Sequence, residues 1–409
     1  MRVVLILVVL ALLLSMLLTI GGSTRAATGA SPAPASVSTA QPLDVRFGDP
    51  VARGTLTTPV VFTTTFHAAE PPERVELLSR VRGTSASEVR RALVEQGSDG
   101  TWTATVPSIG FTPPNTVQEF RFRAVDGDRT VLGPAAEFRL EDDRFEWRSL
   151  SDGPVTLHWY TGDEGFAKRA LAVGVHAIDQ AAELLGVPDV QPVDFFVYDS
   201  SDALYGAMGP GTRENVGGQA NPLIRTMVGV IRPDDVDSDW VDVLVTHELT
   251  HMVFADATDN PYRQPPRWLN EGLAVYLAEG YGVGDRSQVA DAAANGELTP
   301  LSAIAGLFPT TYDSFSLAYA QSVSAVDYFI DTYGRDTLVR LIGSYRDGVT
   351  DDEAFTAATG SDFRAFDDAW LAAQGVSRPD PLGPQPAPRG PEPSDWRDAA
   401  QPSPVSSAP

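Results

Sequence analysis

Two histidines and a glutamate in the second half of the chain have the residue types and spacing of a metal site. The segment His247-Glu248-Leu249-Thr250-His251 places its histidines four residues apart. On an α-helix such residues lie on one face, one turn from each other, so both imidazoles reach one tetrahedral metal ion. The glutamate is rotated by about 100° from the first histidine, toward a water on the metal. The spacing predicts a metal ion with a general base beside it.

The surroundings of this motif favour burial. Residues 240–254 are apolar apart from Asp242, Thr246 and the polar residues of the motif itself. A helix that is apolar on all sides is normally buried. Because a buried imidazole or carboxylate without a partner is costly, a bound metal is a better interpretation than a pair of surface histidines.

A second segment, W-L-N-E-G-L-A from Trp268 to Ala274, carries Glu271 twenty positions after His251. Together the two motifs resemble the gluzincin metallopeptidases, and most closely the bacterial peptidase MA-like domains related to the aminopeptidase and thermolysin families. The resemblance covers roughly residues 145–374. It implies that the metal is zinc, that Glu271 is the third protein ligand, and that water takes the fourth position. The activity it implies is zinc-dependent hydrolysis of peptide bonds.

The chain departs from the family patterns at two positions. Thermolysin-like enzymes have an aspartate four residues after the ligand glutamate, where this chain has Val275. A ligand histidine must therefore be oriented by another group, and Asp242 and a backbone carbonyl are candidates. Aminopeptidases carry an upstream glutamate that holds the substrate's free amine. Ala220 stands at that position here, with Glu214 as a rival in a different register, and this favours an endopeptidase over an aminopeptidase.

The resemblance also implies an edge strand and an oxyanion donor. The edge strand binds the backbone of an extended substrate, and residues 228–231 are the candidate, with an ordinary sheet strand as the alternative. A tyrosine hydroxyl stabilises the oxyanion, and Tyr319 is the candidate. Tyr312 is the alternative, and a packing role stays open for both tyrosines. The remaining histidines lack metal spacing, and structural roles are favoured for them: His67, His158 and His176.

Two kinds of segment surround these residues. Residues 42–143 contain short runs rich in Val, Thr and Phe between Pro, Gly and Asp, and residues 117–125 alternate with period two. This pattern predicts a β-sandwich of immunoglobulin or fibronectin type. Residues 144–376 begin with strand-like segments and continue mainly as helices, which fits the zincin domain that the resemblance implies. The expected fold class is α+β, with a β-sandwich followed by a mainly helical zincin domain with a small sheet.

Composition narrows the classes of function. The chain has 409 residues, no cysteine and a formal net charge of -24. The lack of cysteine excludes disulfides, thiolate metal ligands and a cysteine nucleophile. So strong a negative charge repels phosphate backbones, so nucleic acids are not expected as partners. Peptides or proteins are the expected substrates.

The N-terminus predicts export. Residues 3–20 form an almost uninterrupted apolar run, longer than a usual signal-peptide core and slightly short for a spanning helix. Residues 1–23 are therefore either a cleaved signal peptide or a membrane anchor, and residues 24–41 a flexible tether. The Pro-rich residues 377–409 are expected to be disordered. Both interpretations of the N-terminus place the protein outside the cytoplasm, either secreted or anchored to the membrane.

The interpretation favoured by the residues is a zinc-dependent endopeptidase, with aminopeptidase activity as one alternative. In another class, the zincin scaffold is a non-catalytic module that binds a surface partner. A third interpretation makes the sandwich an adhesion or glycan-binding module. A pure binding module has no need of Glu248 beside the metal ligands, which favours the enzyme.

Overall fold

A computed structural model describes residues 43–209, 217–260 and 262–380. These residues divide into two compact units, with the boundary between Arg144 and Phe145. The predicted signal or anchor, the tether and most of the Pro-rich tail lie outside the described residues. None of the helices in the described part of the chain is long and apolar enough to cross a membrane.

The first unit consists of two antiparallel sheets, which confirms the predicted β-sandwich. One sheet has the order β1-β3-β7-β6 with β2 added on β3, and the other has the order β5-β4-β8-β9. Inward side chains of both sheets form one apolar core, in which the rings of Phe62 and Phe120 meet edge to face at 4.9 Å. The strands are β1 (Arg46–Phe47), β2 (Val51–Thr55), β3 (Thr58–His67), β4 (Arg74–Val81), β5 (Glu88–Arg91), β6 (Leu93–Gln96), β7 (Trp102–Pro107), β8 (Val117–Asp126) and β9 (Arg129–Arg139).

The second unit begins with a five-stranded mixed sheet. Its strands are β10 (Arg148–Asp152), β11 (Val155–Trp159), β12 (Val193–Tyr198), β13 (Gly218–Asn221) and β14 (Thr226–Val230). Their order is β10-β11-β12-β14-β13, with β11, β12 and β14 parallel and the two outer strands antiparallel. The prediction that residues 228–231 form the edge strand is wrong, because β14 lies between β12 and β13. The short β13 folds back on β14 and takes the edge, which strand propensity in the sequence did not indicate.

Helices make up most of the second unit, as the sequence predicts. α3 packs against α1, α4 and β13, and α4 packs against α6. On α4, Trp268 is fully buried and its indole stacks on Phe363 and Phe366 of α9 at 6.1 and 6.0 Å. The helices are α1 (Glu164–Leu185), α2 (Ser201–Met208), α3 (Asp239–Thr258), α4 (Arg267–Ala278), α5 (Val283–Asn295), α6 (Tyr312–Tyr333), α7 (Arg335–Ser344), α8 (Asp351–Thr359) and α9 (Phe363–Ala373).

Gly272 sets the distance between α4 and α6. A Cβ atom at this position would lie 2.4 Å from the carbonyl oxygen of Ser322, closer than real carbon–oxygen contacts allow. Only glycine lets the two helix backbones approach this closely. The contact is one residue from Glu271 on α4 and three residues from Tyr319 on α6, so the two helices bring their candidate site residues together.

Candidate active site

The helix α3 carries the H-E-x-x-H segment in a buried position. Apolar side chains surround it, and Leu244 and Leu249 are fully buried. His247, Glu248 and His251 have exposed fractions of only 5%, 0% and 2%. The near-uniform apolar character of the helix thus leads to burial, and it takes three polar side chains into the interior.

The helix α4 brings Glu271 to the two histidines. The ligand atoms of His247, His251 and Glu271 all lie within 4.8 Å of one another. Glu271 Oε2 lies 3.5 Å from Nε2 of His247 and 3.7 Å from Nε2 of His251. The two imidazole rings are 5.0 Å apart and nearly perpendicular, at 83°. Three potential ligand atoms from two helices therefore face one point.

The same three atoms are buried and lack hydrogen-bond partners within the described residues. Buried polar atoms are normally paired, so a cluster of unpaired ones needs an explanation. Two imidazole nitrogens and one carboxylate oxygen, with room for a fourth ligand, are a common donor set of catalytic zinc sites. The residues present therefore fit a divalent metal ion of that type.

Electrostatics favours an anionic Glu271. Burial raises the pKa of its carboxyl, but the close approach of His247 and the charges of His251 and Arg267 outweigh burial and bring the pKa to about 2. Burial lowers the pKa of His251, whereas the neighbouring carboxylates raise that of His247 despite its burial. Since metal ligands must be deprotonated, a metal ion bound at His247 would displace a proton.

Asn270 orients one of the histidines. Nδ1 of His251 lies 2.9 Å from Oδ1 of Asn270, and a proton donated there leaves Nε2 unprotonated and able to bind a metal ion. Neither of the two expected partners is used: Asp242 is exposed, and the acceptor is a side-chain amide and not a backbone carbonyl. The asparagine directly before Glu271 in the W-L-N-E segment was the available signal.

The carboxylate of Glu248 has two different environments. Oε2 accepts a hydrogen bond from the backbone N–H of Ala220 at 2.7 Å, whereas Oε1 is buried and has no partner in the described part of the chain. Burial, with a smaller contribution from the like charge of Glu271, raises its pKa to about 7. A carboxyl group whose pKa lies near neutral pH, with one oxygen that has no hydrogen-bond partner in the described residues, is suited to accept and return a proton.

Tyr319, the first candidate for the oxyanion donor, lies beside His247. Its ring is 6.2 Å from that of His247 and packs against Phe308 and Phe315, at 5.2 and 5.1 Å. Burial raises the pKa of its phenol well above the ordinary value, so the hydroxyl stays a neutral donor. Tyr312 is the first residue of α6, about two turns away, and 60% of it is exposed.

Comparison with known protein families gives a match for the part of the chain that contains these residues. Residues 173–374 match the Peptidase MA superfamily. This segment is a peptidase MA superfamily domain. Such a domain implies peptide or protein substrates. It contains His247, Glu248, His251, Glu271 and Tyr319. No curated protein matches the chain.

Similar solved structures include an aminopeptidase N family protein from Idiomarina loihiensis. It is 11% identical, with 76% of this chain and 71% of that chain covered and a TM-score of 0.36. A Br derivative of BhCBM56 is 16% identical over 22% of this chain and 88% of that chain, with a TM-score of 0.16. A cycloalternan-degrading enzyme from Trueperella pyogenes is 14% identical over 25% of this chain and 16% of that chain, also with a TM-score of 0.16.

The other histidines lie outside the metal group. In the peptidase domain, His176 is exposed on α1. On β11, both ring nitrogens of His158 are hydrogen-bonded, one to Ser149 Oγ at 2.8 Å and the other to Asp194 Oδ1 at 2.7 Å. His67 is exposed at the end of β3. Glu214, the rival amine anchor, lies outside the described residues.

Proposed function

We propose that residues 144–376 form a zinc-dependent endopeptidase that acts outside the cytoplasm. The observation that carries this proposal is the convergence of three buried, unpaired ligand atoms from His247, His251 and Glu271, with the carboxylate of Glu248 next to them. A binding module would gain nothing from burying that carboxylate, which is costly. Export rests on the apolar residues 3–20, and recovery of the full chain from the cytoplasm of its host would contradict it.

Each residue has a separate task in the proposed mechanism. His247 and His251, through Nε2, and Glu271, through Oε2, would hold the ion. Zinc bound there would supply a water of lowered pKa and a Lewis acid for the scissile carbonyl. Glu248 takes the water proton on Oε1 and returns it to the leaving amine, while the Ala220 N–H keeps Oε2 in place.

Tyr319 would donate its hydroxyl proton in a hydrogen bond to the oxyanion. We expect Tyr319→Phe to lower kcat by about 10²–10³, the usual effect of losing one oxyanion donor, with little change in KM. Zinc content should not change. Tyr312→Phe removes an exposed hydroxyl from the same helix and should retain wild-type kcat. If Tyr319→Phe had the kcat of the wild type, Tyr319 would have a packing role only.

We base the proposed cleavage of internal peptide bonds on two features of β13, the side chain of Ala220 and the backbone that faces away from β14. Ala220 offers no carboxylate to pair with a substrate ammonium, and a desolvated ammonium needs such a partner. Ala220 directs its N–H to Glu248, away from β14. On the other side, the carbonyl of Gly217, the residue before β13, accepts from the N–H of Val230 at 2.8 Å. The backbone of β13 that faces away from β14 therefore lies next to the catalytic carboxylate, where extended substrate could pair on both sides of the scissile bond.

We expect the purified protein to cleave an N-acetylated peptide at an internal bond, and to release little reporter from a single free amino acid. Profiling of a peptide library with and without chelator would give the cleavage preference and the metal requirement together. Activity on the amino-acid reporter alone would contradict the endopeptidase proposal. It would point to Glu214 as the amine anchor.

A further inference from the structure

The two carboxylate oxygens of Glu271 have different surroundings. Oε1 accepts hydrogen bonds from Nε and Nη2 of Arg267, at 3.2 and 3.1 Å. Oε2 faces the two histidines and has no hydrogen-bond partner in the described ranges. The carboxylate is thus oriented before any ion binds, with one oxygen held and the other directed at the metal position.

Arg267 is itself held in place by the segment that precedes α6. It is the first residue of α4, one turn before Glu271, and its backbone N–H donates to the carbonyl of Ala305 at 2.7 Å. Its guanidinium lies 4.7 Å from the ring centroid of Phe308, and only 17% of the side chain is exposed. A planar guanidinium on an aromatic face keeps a defined orientation. The position of Arg267 therefore does not depend on the metal.

Coordination by one or by two carboxylate oxygens has different consequences for a hydrolytic site. A catalytic zinc site uses three protein ligands and leaves the fourth position to water. If Glu271 bound through both oxygens, Oε1 would compete for that position. Binding through Oε1 would also break two charge-assisted hydrogen bonds, which are stronger than neutral ones.

We propose that Arg267 is a positioning residue that limits Glu271 to coordination through a single oxygen and so keeps a coordination position open for water. This inference rests on the proposed function, because it requires an ion held by His247, His251 and Glu271. The role is distinct from that of Asn270, which orients a histidine. It extends the metal site by a residue one helical turn before Glu271 on α4, which contacts the oxygen of Glu271 that does not face the histidines.

The test replaces zinc with Co²⁺, whose visible absorption weakens as coordination rises from four to five. Wild-type protein and Arg267→Lys should be compared with Arg267→Met, which keeps an unbranched apolar stem but offers no donor. We expect strong four-coordinate absorption for the wild type and weak five-coordinate absorption for Arg267→Met. Arg267→Lys keeps a charged donor and should be intermediate. Zinc-edge X-ray absorption should show one additional oxygen ligand in Arg267→Met.

Kinetics and a matched control complete the test. Arg267→Met should bind metal yet lose about 10–100-fold in kcat, as is usual for residues that orient metal ligands. Arg286→Met removes a guanidinium that lies 4.1 Å from the ring of Tyr281 on a more exposed side chain, and should resemble the wild type. Identical cobalt spectra for the wild type, Arg267→Lys and any folded Arg267→Met would overturn the inference. A wild-type protein that binds neither cobalt nor zinc would instead refute the proposed function.

Discussion

Glu248→Gln is expected to reduce turnover by about a hundredfold or more while zinc content stays near that of the wild type. Glutamine has almost the same shape, and its amide oxygen still accepts the Ala220 N–H that now holds Oε2. It cannot take a proton from water, so the chemical step fails although the ligands His247, His251 and Glu271 are intact. The measurement is kcat on an internally cleaved peptide, together with metal analysis of the same sample.

A second carboxylate-to-amide change provides the control. Glu183→Gln on α1 alters a side chain that is 80% exposed, and it should leave kcat unchanged. A loss of zinc from Glu248→Gln would place this residue among the ligands. Unchanged cleavage by Glu248→Gln would refute the proposed mechanism, since no other residue is assigned to accept the proton.

Removal of a ligand should abolish both metal binding and activity. We expect His247→Ala, His251→Ala and Glu271→Ala each to lose most of their zinc, because an ion with two protein ligands is held far less tightly. Metal binding also stabilises the fold, since the ligands come from two separate helices. With free zinc about a thousandfold above Kd the gain is about 4 kcal/mol. For a unit of this size that corresponds to a rise in Tm on the order of 10 °C.

Thermal unfolding with and without chelator separates this effect from a packing defect. Chelation should lower the Tm of the wild type and leave that of the three ligand variants unchanged. His176→Ala removes an exposed histidine from the same domain and should respond to chelator as the wild type does. Full zinc retention in Glu271→Ala would contradict its assignment and move the third ligand to another residue.

The sequence by itself determined those features that depend on local backbone geometry. Four-residue spacing on a helix places His247 and His251 on one face whatever the rest of the fold does. The apolar residues around them led to burial, and period-two alternation in residues 117–125 led to a sandwich strand whose inward side chains are in the core. The α+β class follows from these periodicities, because each element must bury its apolar face.

Glu271 marks the limit of what local pattern provides. Nothing in spacing alone requires a residue on the next helix to reach the same metal, and its role was implied by resemblance to a family. In the fold, α4 brings its carboxylate within 3.7 Å of both imidazole nitrogens. The absence of a side chain at Gly272 lets α4 approach α6 closely. Tyr319 on α6 then lies near His247.

Only the tertiary structure decided which groups orient the site residues. The N–H of Ala220 reaches Glu248 from 28 positions away in the sequence, and Asn270 reaches His251 from 19 positions away. The edge position of β13 also depends on how a four-residue strand folds back on β14. Contacts of this kind depend on packing between segments that are distant along the chain. Backbone periodicity does not indicate which of several nearby polar groups will face a given side chain.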